Sequence, residues 1–288
     1  MYMFSVMCIA CMHSTRGRFP SLRSFIDIGA NIGHFTEEIV GRWGDASTAS
    51  PSAASPLHVV SIEPFGPNFG VLMRARSTLL HSVPFGSLNL SLVRAAVSGV
   101  PGRARFKGLG EWGRLSSLYA SHKEGRGRRE ETVRVTTVDE LVAQHHLLAP
   151  TGGLDVLKID TEGAEMSVLR GAQATLPCTK IVLWECGHFR DGGTMRSAVD
   201  LLDEAGFDTL LLSNRFPLLI SRGYWDPVYD AKGFRNCASF SRGLVDVRDF
   251  RSILRRYPRY AAPIATSVFP RGYRDDPPHA LFDPLAEC

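Results

Sequence analysis

The chain has 288 residues, 44% of them hydrophobic, 22% charged and 9% aromatic, an ordinary globular balance that excludes a disordered, collagen-like or coiled-coil chain. Lys and Arg number 33 against 29 Asp and Glu, and the resulting +4 is too small an excess to imply nucleic acid as a partner. Six cysteines over this length do not make a disulfide scaffold, so a reducing, cytoplasmic compartment is the simplest expectation.

The first twelve residues, MYMFSVMCIACM, are apolar. As a helix they would reach only about 18 Å, short of a bilayer, and the basic start and small-residue cleavage site of a signal peptide are missing. Residues 1–23 therefore read as a leader outside the fold.

Phe25 to Gly29 reads as a buried strand ending in a turn. His34 to Trp43 reads as a helix with Phe35, Ile39 and Trp43 on one face. Residues 44–56 are small, polar and proline-containing, with no face to bury, and read as a disordered insertion. A second strand (His58 to Pro64) and a second helix (Phe69 to Leu80) follow. Leu90 to Ser98 and Ala104 to Phe106 are strand-like, around a turn at Gly99 to Gly102. A strand from Thr132 runs into a helix capped near Thr137. Gly153 to Ala172 is a strand, an acidic turn and a helix. Thr179 to Cys186 is a strand, Arg196 to Ser213 a helix closed at Gly206 and a strand, and Asn236 to Arg242 a last strand. Residues 243–288, rich in Arg and Pro, read as an appended extension to a domain of residues 24–242.

Strand–helix alternation of this kind predicts an α/β fold, a mostly parallel sheet with helices on both faces. Such sheets bind ligands in the turns at the carboxyl ends of their strands. The first of these turns is Asp27-Ile28-Gly29-Ala30-Asn31-Ile32-Gly33. Gly29 permits the bend and Gly33 a close approach of the next helix. A dinucleotide site would want a glycine where Asn31 stands, and the carboxylate of Asp27 repels a pyrophosphate but suits a cation. The second turn brings Glu63, a residue able to accept both hydroxyls of a ribose. It lies 34 residues after Gly29; without the 13 residues of 44–56 the gap is 21, close to the usual spacing of about 20. The third is Lys158-Ile159-Asp160-Thr161-Glu162-Gly163-Ala164-Glu165, three carboxylates within six residues. Helix capping accounts comfortably for one of them, not three. No flanking residues have metal-ligand spacing, so no metal is expected.

FIDIGANIGHFT, SIEPFGPNF, LVRAAVSG, VRVTTVDEL, VLKIDTEGAEMSVLRGA and IVLWE, in this order, resemble the FkbM family of S-adenosylmethionine-dependent methyltransferases. The resemblance implies a Rossmann-like class I methyltransferase fold, seven-stranded, with the last strand antiparallel. It places Asp27, Gly29, Ala30, Asn31 and Gly33 against the methionine part of S-adenosylmethionine, with Asp160 beside them, Glu63 at the ribose, and Ala96, Val97 and Ser98 beside the adenine. The acceptor implied is a hydroxyl of a small molecule, sugar or lipid-linked compound. Glu162, Glu165, Asp160 and His188 are the candidates to orient or deprotonate it, Glu162 first. Gly99 stands where the family often has an acidic residue. Two other readings compete: a nucleoside-binding protein without catalysis, and a nicotinamide-dependent oxidoreductase, against which Asn31 and the acidic turn argue.

Other features have plainer explanations. Cys8-Ile9-Ala10-Cys11 lacks a second pair at zinc spacing, and Cys178, Cys186 and Cys237 read as buried small hydrophobes. Arg103 to Arg134 holds nine Lys and Arg against four Asp and Glu. That segment reads as a solvated loop, or as a lid whose basic residues attract an anionic acceptor and whose Trp112, Ser116, Ser117 and Tyr119 contact a sugar-like one. The eight Arg from Arg242 to Arg274 alternate with aromatics in a way that suits a membrane surface or RNA, but no RNA-binding motif accompanies them. A flexible appendage is the expectation.

Overall fold

A computed structural model describes residues 22–44, 55–109, 128–148, 153–212, 217–230 and 235–245. Residues 1–21 of the leader, residues 45–54 of the insertion, most of the basic segment and residues 246–288 of the Arg-rich extension lie outside the described residues.

Among the described residues the main sheet has eight strands. β1 (Ser24–Ile28), β2 (Leu57–Ile62), β3 (Leu88–Val93), β7 (Leu154–Ile159) and β8 (Thr179–Glu185) run parallel, in the order β3-β2-β1-β7-β8. β11 (Asn236–Ser241) then inserts antiparallel between β8 and β9 (Phe207–Leu212). The antiparallel last strand is as expected. The expected count of seven is corrected to eight by β10 (Pro217–Leu219), which folds back antiparallel along β9. Three residues with a proline at the start give no alternation to read, and proline is tolerated there because this is an edge.

The helices are α1 (His34–Trp43), α2 (Gly66–His81), α3 (Val138–Gln144), α4 (Glu165–Arg170) and α5 (Met195–Glu204). One apolar layer packs Phe35, Ile39, Val40 and Trp43 of α1 and Leu79 of α2 against Phe25, Val59, Val156 and Ile181. The opposite layer packs α3, α4 and α5 through Leu141, Val168, Leu169 and Leu202 against Ile26, Val60, Leu157 and Trp184. Neighbouring residues of β1, Phe25 and Ile26, thus go to opposite layers, as the two-residue period of a strand requires. α3 begins at Thr137, whose hydroxyl accepts the backbone N–H of Glu140 at 3.1 Å.

The run Leu90 to Ser98 is not one strand. β3 stops at Val93, and β4 (Ala96–Val97) pairs with β6 (Arg128–Thr136) in a separate sheet, completed by β5 (Gly102–Leu109) antiparallel to β6. A small apolar cluster of Phe65, Ala96, Phe106, Val133 and Val135 holds this sheet to the main body.

The cysteines correct a second expectation. Cys186 and Cys237 are joined by a disulfide between the end of β8 and the start of β11, while Cys178 is free. Two small apolar residues on separate strands look independent until the antiparallel pairing sets them beside each other. No helix among the described residues is long and apolar enough to cross a membrane.

Candidate functional site

Because β1, β2, β7 and β8 are parallel neighbours, the turns that follow them meet at one end of the sheet. The first turn is held by backbone bonds: the N–H groups of Gly29 and Ala30 both donate to Ile62 O, at 3.0 and 2.9 Å. It has left-handed φ angles at Gly29 (74°), Asn31 (54°) and Gly33 (100°). A Cβ on Gly33 would stand 2.7 Å from Leu72 of α2, so the close approach expected at that glycine is made by α2. Asn31 is a non-glycine residue in this region, a strain that clusters at functional sites.

Asp27 is 1% exposed. Its carboxylate accepts the Thr36 hydroxyl at 2.9 Å and the Lys158 ammonium at 2.8 Å. Thr36 in turn shares a hydrogen bond of 2.7 Å with Ser61. Lys158 also donates to Gly29 O at 3.0 Å and stands 3.6 Å from an Asp160 carboxylate oxygen. Asp160 is bound to β1 through its own N–H, which donates to Ile28 O at 3.1 Å. Asp27, Asp160 and Lys158 therefore form one cluster, and Glu63 is near enough to act electrostatically on the same ammonium.

Glu63 bridges two turns. Its carboxylate accepts the N–H of Asn31 at 2.9 Å and of Phe65 at 2.8 Å, one on each oxygen, leaving each oxygen a further lone pair. Burial pushes it up to about 7, against the pull of these two N–H groups and of Lys158. Ala96 packs in the same small cluster as Phe65, Val97 turns into the main core, and Ser98 N–H donates to Thr136 O at 3.0 Å. The Ala96 and Val97 side chains are thus committed to packing.

The turn after β7 gathers the remaining carboxylates. Glu162 has φ 57° and is pushed up to about 8 by burial, then by Asp160 and Glu165, with Arg190 opposing. Glu165 opens α4 and folds back on the turn: one oxygen accepts the N–H of Thr161 (2.9 Å), its hydroxyl (2.9 Å) and the N–H of Gly163 (3.2 Å). Burial raises it to about 7 all the same. Burial raises Asp160 too, and Lys158 pulls against it. The segment after β8 lies across this turn, since Arg190 N–H donates to Gly163 O at 2.8 Å and Asp191 accepts Ser167 N–H at 2.6 Å. His188 is half-buried within that segment.

One group of the site was not singled out from the sequence, whereas Glu185, closing the strand after the acidic turn, was expected to lie beside that turn. Lys158 is the lone cation in the apolar run Val156 to Ile159, and its register partner on β1 is Asp27; a charge surviving in a doubly covered strand was the available signal. Glu185, at the end of β8, is 2% exposed and neither carboxylate oxygen has a hydrogen-bond partner. Burial, then Glu165, Asp160 and Glu162, pushes it up to about 10.

Among the described residues no cluster of His, Cys, Asp and Glu has the arrangement of a metal site. The grouping suits a different ligand: carboxylates around two strained turns match a group carrying positive charge and hydroxyl donors, and hold it by charge and hydrogen bonds. Glu63 in particular keeps acceptor capacity in a position buried to 4% exposure.

The Methyltransferase FkbM domain profile matches residues 27–209, the span that carries all three turns. Among solved structures, a methyltransferase FkbM from Methylobacillus flagellatus KT is 15% identical with a TM-score of 0.46, over 79% of this chain and 45% of that one. A precorrin-6y C5,15-methyltransferase from Geobacter metallireducens GS-15 is 10% identical with a TM-score of 0.36, over 81% of this chain and 87% of that one. The chain spans less than half the length of the first of these. No curated protein matches it.

Proposed function

The chain belongs to the FkbM family of methyltransferases, whose methyl donor is S-adenosylmethionine, and from that premise we propose that it methylates a hydroxyl group on a small-molecule, sugar or lipid-linked acceptor. The observation that supports this most is Glu162: a carboxyl lifted to about 8 beside the donor turn is matched to the proton that an alcohol loses.

The donor, when bound, supplies an electrophilic methyl carbon on a sulfonium. On this reading the turn of Asp27, Gly29, Ala30, Asn31 and Gly33 receives the methionine part, Glu63 accepts the ribose hydroxyls, and the Ala96 to Ser98 backbone flanks the adenine. Asp160 adds negative charge next to the first turn, favouring a cation there. Glu162 takes the acceptor's proton as the oxygen attacks. Glu165 holds the turn that carries Glu162, through the three donors on one of its oxygens. His188, on the segment crossing the turn, orients the acceptor. Methyl transfer is an in-line displacement, so most of the rate comes from alignment, which fixed turns provide.

The test is incubation of the purified chain with methyl-labelled donor and a panel of hydroxyl acceptors, read by mass spectrometry. The expected product has a methyl in place of the hydroxyl hydrogen. Donor binding with transfer only to nitrogen or carbon would overturn the hydroxyl assignment. Calorimetric binding of NAD in preference to the donor would overturn the reading as a whole.

A further inference from the structure

We propose that the outer face of the small sheet is a docking surface for an anionic lipid bilayer, carried by Arg103, Arg105, Lys107 and Arg134. The inference is independent of the donor-site reading. It starts from the two-residue period of a strand. Ala104 and Phe106 of β5, with Val133 and Val135 of β6, pack in the cluster around Phe65. A Cβ on Gly108 would strike the Phe65 ring, so this residue faces the main body too. The residues between them point the other way. They are Arg103, Arg105 and Lys107 on β5 and Glu130, Thr132 and Arg134 on β6, paired in register as Arg103 with Arg134, Arg105 with Thr132 and Lys107 with Glu130. All are exposed except Lys107, which is half-buried.

Four cations thus share this face with the carboxylate of Glu130, which serves Arg105 at 3.2 Å and Lys107 at 3.9 Å. Arg103 and Arg134 are left directly opposite each other, and like charges in that position cost stability. Positive charge on an edge strand has a plain explanation, as a guard against pairing with other chains. β5 is such an edge, but β6 lies between β4 and β5. Arg134 therefore guards no edge, and an acidic residue in its place would have paired with Arg103. An anionic partner offsets the repulsion between the two guanidinium groups.

The form of the face selects that partner. Alternate residues of a strand stand about 7 Å apart, so the charges are spread along a surface and do not converge on one small anion. None of the six outward residues is aromatic, so the face has no platform on which bases could stack. A layer of anionic headgroups suits both features, because its surface potential acts on each Lys and Arg separately. Val100, 74% exposed in the turn between β4 and β5, stands at the Arg103 end of the face, where an apolar side chain can enter the headgroup layer.

The experiment is cosedimentation of the full chain with vesicles of phosphatidylcholine alone and of equal parts phosphatidylcholine and phosphatidylglycerol. The wild type is expected to sediment with the mixed vesicles and not with the neutral ones, and to be released as salt rises. Arg103→Glu/Arg134→Glu should lower its partition onto the mixed vesicles by at least about tenfold. Arg74→Glu/Arg76→Glu makes the same change of net charge at exposed positions of α2 and should bind as the wild type does. A wild type that ignores the mixed vesicles, or two double variants that bind them alike, overturns the inference. So does undiminished vesicle binding by Arg103→Glu/Arg134→Glu together with loss of binding to a single-stranded oligoribonucleotide, which would assign the face to nucleic acid.

Discussion

Gly29 and Asp160 meet so closely across the β1–β7 boundary that a Cβ on the glycine would run into the carbonyl oxygen of the aspartate. Gly29 also has φ 74°, which L side chains rarely adopt. Gly29→Ala therefore combines a left-handed backbone cost of about 1–2 kcal/mol with an overpacking cost of about 1–3 kcal/mol. The expected outcome in chemical denaturation is a stability loss of about 3 kcal/mol. A wild-type midpoint would mean that the two turns are not pressed together.

Glu63→Ala removes the acceptor from two backbone N–H groups, that of Asn31, half-buried, and that of Phe65, buried, as well as the candidate ribose ligand. Loss of one charged hydrogen bond is worth about 1.5–3 kcal/mol. Affinity for S-adenosylmethionine measured by calorimetry should fall by at least about tenfold. Unchanged affinity removes Glu63 from the ribose.

Glu162→Gln keeps size and polarity but cannot take a proton. Turnover should fall by about a hundredfold, while the dissociation constant of the donor stays within about twofold. A variant that turns over like the wild type excludes Glu162 as the base.

Stability should fall as pH rises. Glu185 ordinarily titrates near 4.5 and stands at about 10 in the fold, so between those values the folded state holds a proton that the unfolded chain has released. Stability then decreases with pH across that window, fully present below 4.5 and lost progressively towards 10. Glu63, Glu162 and Glu165, raised to about 7, 8 and 7, act in the same direction over narrower windows. Glu185→Gln substitutes a neutral group and removes the largest contribution. Its melting temperature should gain on the wild type from pH 5 to pH 9, and a constant difference would show that Glu185 is ionised in the fold.

Much of this arrangement could be read from the chain alone, for a physical reason. Strands β1, β2, β7 and β8 are covered on both faces, so they appear as apolar runs, and each ends at the site in a turn that needs glycine or an acidic residue. Asp27, Glu63, Asp160 and Glu162 are legible by position for that reason. What was not legible depends on distant partners. Lys158 finds Asp27 across 131 residues, so the apolar run around it marks it as an unusual charge but does not name its partner. Arg94 and Ala95 hide the break between β3 and β4, because an apolar run does not say which sheet it joins. The Cys186–Cys237 bond requires β11 to lie against β8, a pairing that neither cysteine's neighbours announce.

The order in which the strands appear has a consequence for synthesis. β1 is the first of the described strands, yet it sits inside the sheet, and its neighbour β7 is more than a hundred residues downstream. At about 5–20 residues per second, the ribosome leaves one rim of β1 bare for on the order of ten seconds. During that interval Phe25 and Ile26 are attached to an unpaired backbone edge, which is a template for sticking to other nascent chains. Expression of fragments ending before Leu154 should give inclusion bodies, and yield of the whole chain should depend on chaperones that shield this rim.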